Sequence, residues 1–242
     1  MTAAVLLLIG AAGARAREEA PLVADLGEHL LGITTGFEGG RVLLFGTAGE
    51  DGDVVVVVRG PAETGRVRRK DRFLGLWINR GQAEIVGAPS FYRIAASRPV
   101  GQLAGAPLLD RLRIGTGHLG LVVRGAREGE EQSYREAWLR LKERAGLYSR
   151  GVGEVRFVGG RLFRADMDFP ANVPTGLYTV EVYLLRDGEV VSAQTTPLTV
   201  GKTGVGAEIF DFATGHAALY GVFAVVLAAS AGWGAAAALR RG

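Results

Sequence analysis

Arg66, Arg68, Arg69, Lys70 and Arg72 form the densest group of side chains able to do chemistry. Extended chain sends successive side chains to opposite faces, so on a strand Arg66, Arg68, Lys70 and Arg72 share one face. Guanidinium groups grip sulfonate, sulfate, phosphate or carboxylate through paired donors, and close to a bilayer the same face meets anionic headgroups. The run reads more readily as a solvated face neutralised by nearby Glu and Asp. Nothing in it is arranged to read bases. The formal charge of +3, from 28 basic and 25 acidic residues, is no electrostatic footprint for nucleic acid.

The remaining chemistry is sparse. His29, His118 and His216 are far apart and none has a metal ligand at motif spacing, so no metal is expected. Asp166 and Asp168 share one face of a strand, where two carboxylates serve acid–base chemistry, hold a hard cation, or simply face solvent. Ser90 lacks the flanking glycines that expose a hydrolase nucleophile. The run Glu50-Asp51-Gly52-Asp53 completes no calcium loop and reads as a hairpin turn. Cysteine is absent, which excludes disulfides and thiolate metal sites. The chain is therefore expected to be no enzyme and to need no cofactor. Phe91 and Tyr92, beside a turn, are candidates for a partner-binding patch, with the alternative that one of them enters the core.

The elements that position these residues are framed by the two ends. Residues 3–14 are an apolar stretch of signal-peptide length, and Ala14 and Ala16 make an Ala-x-Ala site, predicting a signal peptide over 1–16. No charge interrupts residues 217–239, long enough as a helix to span the ~30 Å hydrocarbon core. Tyr220 and Trp233 suit the interfaces, and Arg240 and Arg241 follow as a positive-inside flank, with residues 240–242 as a cytoplasmic tail. The expected topology is a single-pass inner-membrane protein with its N-terminal domain in the periplasm. Ala224, Ala228, Gly232 and Ala236 recur every four residues, a smooth stripe on which a second copy or a polytopic permease could pack. The same stripe is also compatible with an Ala-rich anchor in lipid.

Between the ends, short apolar runs punctuated by Gly, Asp and Pro predict a mainly β protein, an immunoglobulin-like β-sandwich of one or two sheet pairs. Strands are expected at 22–26, 29–35, 41–47, 53–59, 65–71, 74–79, 83–88, 92–97, 177–185 and 190–199. The five consecutive valines from Val54 predict burial on both faces. Arg186-Asp187-Gly188-Glu189 predicts a hairpin turn, and Pro174 with Tyr178 resembles the corner in which a tyrosine hydroxyl ties a strand to its preceding turn. A short amphipathic helix is predicted near 133–145, with Ser133 and Glu136 as capping box, Tyr134, Trp138, Leu141 and Ala145 on its buried face, and Gly146 as its stop. Trp138 fits core packing better than a ligand platform. A weaker helix is expected within 101–114. The boundaries read as 17–128 for an N-terminal β domain, 129–150 for the connecting helix, 151–203 for a C-terminal β region and 204–216 for a juxtamembrane segment.

The blocks "LVADLGEHLLGITTGFEG", "DVVVVVRGP", "VRRKDRFLGLWINR", "PSFYRIAASRP", "LFRADMDFPANVPTGLYTVEVYLLRDGEVVSAQTTPL" and "FDFATGHAALYG" occur in this order. Together they resemble the alphaproteobacterial putative transmembrane protein family almost from end to end. The resemblance implies an inner-membrane protein and carries no catalytic residue onto this chain.

Overall fold

The structure, a computed structural model, describes residues 22–49, 52–73, 76–203, 221–222 and 225–233, with backbone alone over 70–80. The expected signal peptide, the Glu50-Asp51 half of the first turn and the juxtamembrane segment lie outside the described residues. In chain order the strands are β1 (Leu22–Leu26), β2 (Leu30–Ile33), β3 (Gly39–Ala48), β4 (Asp53–Arg59), β5 (Ala62–Phe73), β6 (Leu76–Pro89) and β7 (Tyr92–Ala96). Two short helices follow, α1 (Val100–Leu103) and α2 (Ala106–Leu112), then β8 (Val122–Arg124) and the longer α3 (Glu131–Arg144). The chain closes with β9 (Gly153–Val158), β10 (Leu162–Pro170), β11 (Gly176–Arg186) and β12 (Glu189–Lys202).

Nine strands make one curled sheet in the order β1-β3-β10-β9-β7-β4-β11-β12-β2, and β5, β6 and β8 make a separate three-stranded sheet. Strands from 17–128 and from 151–203 therefore interleave in one sheet. Most neighbours are antiparallel; the exceptions are β2 along β12 and the short β7–β9 seam at Ala95–Gly153 and Ala96–Glu154. That seam is where the sheet turns over. Its far ends come back together, because the Gln194 amide on β12 accepts from the Ala24 N–H of β1 at 2.8 Å and donates to the Ala24 carbonyl at 2.5 Å.

The core follows from period-two alternation. Leu22, Ala24 and Leu26 of β1, Val42 and Leu44 of β3, Phe163, Ala165, Met167 and Phe169 of β10, and Tyr178, Val180, Val182 and Leu184 of β11 are all buried. Val54 to Val58 are buried without alternation, as expected, because β4 lies between β7 and β11 near the middle of the sheet. Asp187 and Gly188, both with positive φ, turn β11 into β12 as the sequence predicts.

Several expectations are corrected. The separate strands at 74–79 and 83–88 are one strand, β6, whose polar Arg80 is accommodated by a register shift opposite Arg69 and Lys70. Strands β8 and β9 had no place in the predicted set, and β10 entered it only as the strand on which Asp166 and Asp168 share a face. The helix starts at Glu131, so Ser133 lies inside it and caps nothing; the acidic first turn supplies the favourable charge instead. Its buried face carries Tyr134, Trp138 and Lys142, while Leu141 is half exposed and Ala145, at the helix end, is exposed. The weak helix within 101–114 is two helices, with Pro107 in the first turn of the second.

Tyr178 donates its hydroxyl hydrogen to the Pro174 carbonyl at 2.6 Å, and burial pushes that hydroxyl up to about 12. Removing the hydroxyl in Tyr178→Phe leaves the carbonyl unpaired, and a loss of about 1 kcal/mol is expected in urea unfolding of the detergent-solubilised chain. An unchanged midpoint would mean that the corner contributes nothing.

Candidate functional site

The basic run lies on β5, in the hairpin with β6. Val67 is buried and its neighbours Arg66 and Arg68 are exposed on the opposite face, as alternation requires. Arg66 Nε donates to Glu84 at 3.2 Å across the register Arg66↔Glu84, and Arg69 Nη1 reaches Glu130 at 3.4 Å. Arg68, opposite Gln82, joins Arg66, Thr64, Gly65 and Glu84 around an open cleft. Lys70 and Arg72 continue β5 opposite Asn79 and Trp77, and their side chains lie outside the described residues. The basic face is thus in part neutralised by carboxylates, with Arg68 outward.

What holds this hairpin to the sheet is a buried polar junction. Gly65 has no side chain because the Trp138 ring occupies that space, and Tyr134 covers Gly81 in the same way. Lys142, one turn beyond Trp138, is buried, pairs with Glu63 of β5 and donates to the Ser90 carbonyl at 3.1 Å. Its ammonium lies 4.9 Å from the Trp138 ring centre and 5.9 Å from that of Tyr148. Tyr148 donates to the Pro89 carbonyl at 2.7 Å, and burial raises its hydroxyl well above the ordinary phenolic range. The groups are satisfied by one another, and their chemistry is structural: a cation that three segments share.

A second junction secures α2. Arg59, at the end of β4, pairs with Glu181 and donates to the Leu112 carbonyl at 2.7 Å and the Arg113 carbonyl at 3.2 Å, so it terminates the helix as a cation should. Tyr183 donates to Glu181 at 2.8 Å, while Tyr92 donates to the Arg113 carbonyl at 3.0 Å and accepts from the Gly115 N–H at 2.7 Å. Burial lowers the Arg59 guanidinium and raises the Tyr92 and Tyr183 hydroxyls.

At the opposite end of β4, Arg98 donates to Asp53 through Nε at 2.9 Å and through Nη2, and Ser97 donates at 2.8 Å. The Arg98 hydrogen bond holds the Asp53 carboxyl below its usual range. A carboxyl depressed in the folded state contributes stability above its unfolded value of about 3.9 and loses it as pH falls through the folded pKa. Arg98→Gln should therefore be less stable than wild type at pH 7, with the gap closing as pH falls below the ordinary carboxylate range in urea titrations. A gap independent of pH would rule out this linkage.

The other expected sites separate. Asp166 and Asp168 do share a face of β10, but each meets an arginine: Asp168 accepts from Arg41 at 2.7 Å and Asp166 from Arg156 at 3.4 Å. His29 lies 3.0 Å from Asp25 and His118 2.6 Å from Asp110; His216 is outside the described residues. No group of three metal-ligating side chains occurs among the described residues. Phe91 and Tyr92 form no exposed patch. Both are fully buried, because Phe91 sits in the bend before β7, where alternation does not apply, and stacks on Phe169 at 4.9 Å. Of the stripe, Ala228 and Gly232 are described and lie exposed on a helix; Ala224 and Ala236 lie outside the described residues. Sequence reasoning missed the Lys142–Glu63 pair, whose one signal is a lysine at i+4 from Trp138 on the buried stripe.

These features define a β-rich protein whose buried polar clusters brace its architecture and whose basic hairpin forms a separate sheet with β8. The chain belongs to the family described as Putative transmembrane protein (Alph_Pro_TM), matched over residues 21–241. No curated protein matches it. Among the described residues no helix is long and apolar enough to cross a membrane.

Proposed function

We propose that the chain is a non-enzymatic accessory subunit of a membrane transporter or assembly: a periplasmic immunoglobulin-like sandwich tethered to the inner membrane by one C-terminal helix. The observation that carries the tether is the helix itself. Within it Val222, Val225, Val226, Leu227 and Trp233 are 57–78% exposed, in a stretch without charge that ends on Arg240 and Arg241. A helix apolar all round is stable in lipid and a liability in water. The sandwich reading is supported by strand order: β1-β3-β10-β9 follows the A-B-E-D sheet, and β7-β4-β11-β12 follows C′-C-F-G. In this reading β1 and β2 are two halves of a first strand that crosses between the sheets, and Tyr178 ties the F strand to its corner. The β5–β6 hairpin and the α1–α3 segment are then insertions on either side of C′.

Accessory function is favoured by the small-residue stripe Ala224, Ala228, Gly232 and Ala236, which lets a second helix approach closely. The test is mass spectrometry of proteins recovered with the C-terminally tagged full chain from gently solubilised membranes, beside the Ala228→Leu, Gly232→Leu variant. A polytopic permease or a second copy recovered with wild type and lost with the variant is expected. Recovery of no specific partner would overturn the accessory reading in favour of a tethered anion-binding module. Arg68, exposed beside Arg66 in the cleft of β5, supports that second reading, and its check is thermal stabilisation by sulfite, sulfate, phosphate or taurine.

A further inference from the structure

We infer that the cleft beside the β7–β9 seam binds the carboxylate group of a small organic ligand on Arg93, a role outside the accessory reading and apart from the basic face of β5. The cleft exists because the sheet parts there. β9 joins β7 only at Ala95↔Gly153 and Ala96↔Glu154, and the contact before it is the single Tyr92↔Tyr148 bridge. Between the two, the three steps from Tyr92 to Ala95 face the five from Tyr148 to Gly153, so the 149–152 segment cannot stay alongside Arg93 and Ile94. β10, in turn, keeps β3 on one flank as far as Pro170, whereas β9 leaves its other flank after Val155↔Ala165. That edge at Asp166 to Asp168 has no strand partner among the described residues. What lies between is a cleft of about 400 Å³, within the range of small-molecule sites, with the buried Ile94, Tyr148 and Met167 in its wall.

The polar groups of that wall are short of an acceptor. Arg93 is half-buried, its guanidinium 5.5 Å from the Phe91 ring centre. It makes no ion pair or hydrogen bond with any described residue, and its Nε is sealed from solvent without a partner. The Ser149 hydroxyl, in the same wall, is buried and unpartnered too. Nearby carboxylates are committed elsewhere, Asp168 to Arg41 and Asp166 to Arg156. Withdrawing a cation from water without a partner is costly, and elsewhere the fold avoids it: Arg59 holds Glu181 and two carbonyls, and Lys142 holds Glu63 and one. Burial accordingly lowers the Arg93 guanidinium, while Asp168 supports its charge. A cation left open where its counterparts are closed is suited to an acceptor from outside the chain.

The class of ligand follows from the rest of the lining. A guanidinium presents paired donors that match a planar carboxylate through two parallel hydrogen bonds. Glu143, Asp166 and Asp168 line the same cleft, and their field disfavours a doubly charged anion such as sulfate or hydrogen phosphate more than a singly charged one. Ile94, Val152 and Met167 offer apolar surface to a short hydrocarbon body. The geometry thus favours an organic monocarboxylate over an inorganic oxyanion. Two sources carry that group: a free carboxylic acid, and the last residue of a peptide, for which the open edge of β10 supplies backbone partners.

Calorimetric titration of the full chain in detergent compares isovalerate, an acetylated tripeptide ending in a valine carboxylate, and the same tripeptide as its amide. At least one acid is expected to bind with a Kd of about 1 mM or tighter, the amide not to bind, and sulfate not to displace the acid. Arg93→Gln should weaken binding about tenfold or more, and Arg93→Lys, which keeps the charge and loses the fork, should weaken it less. Ser149→Ala is a second version, with an expected loss of about threefold. Arg140→Gln, exposed on α3, is the control and should leave binding unchanged. Since Arg93 strands no partner, Arg93→Gln is expected to keep the wild-type urea midpoint, so that its loss of binding is not a loss of fold. A tripeptide about tenfold tighter than isovalerate assigns the site to peptide C-termini, and equal affinities assign it to free acids. No binding of either acid, binding undiminished in Arg93→Gln, or displacement by sulfate overturns this inference, and none of these results touches the tether or the accessory reading.

Discussion

Lys142→Ala is expected to destabilise the chain by about 3 kcal/mol and to loosen the β5–β6 hairpin before the main sheet unfolds. Removing one member of a buried ion pair strands the other. Glu63 keeps a third of its side chain exposed, so solvent softens the penalty and the lower end of the range for such pairs applies. The ammonium also leaves the Trp138 and Tyr148 rings, and the Ser90 carbonyl loses its donor. Lys142→Met separates charge from packing because it keeps the apolar stem. If the pair matters, Glu63→Gln added to Lys142→Met should recover about 1 kcal/mol or more, since the second change removes the stranded charge. Trp138 fluorescence and denaturant midpoints read both effects. Additive single and double variants would mean that Glu63 and Lys142 do not act together.

How much of this was legible depends on how local each signal is. Tyr178 and its corner are four residues apart, and the Asp187-Gly188 turn carries its own positive φ, so both were readable. β10 could have been found, since Phe163, Ala165, Met167 and Phe169 alternate with polar residues as cleanly as β11 does. β9 could not, because only Val155 of its six residues is buried and its place is set by the two-residue seam with β7. The basic face on β5 was legible from alternation, whereas its neutralisation by Glu84 and Glu130 depends on which strand and helix come alongside. The buried face of α3 was misassigned at Leu141 and Ala145, the first for a related reason. At helical spacing Leu141 and Lys142 both fall near the stripe of Tyr134 and Trp138, and hydrophobicity favours the leucine. A carboxylate on β5, far along the chain, decides for the lysine.

Phe91→Ala is expected to cost about 3–5 kcal/mol, which separates the core role of this residue from the partner-binding role its sequence context invited. Its ring is fully buried, stacked on Phe169 at 4.9 Å and tilted against Tyr178 at 5.7 Å, so three elements of the core meet on it. Deletion leaves a cavity among large rings that cannot close without moving β7, β10 or β11 together. The Arg93 guanidinium, 5.5 Å from the same ring centre, loses its apolar support as well. Leu177 is the control, because it is also apolar but 63% exposed, and Leu177→Ala should change stability by no more than about 0.5 kcal/mol. Stability is read from urea unfolding in detergent, and partner recovery from the tagged chain at a temperature where both variants stay folded. A core role predicts that Phe91→Ala unfolds early yet recovers the same partners while folded. Loss of partners from a variant of wild-type stability would return Phe91 to the interface.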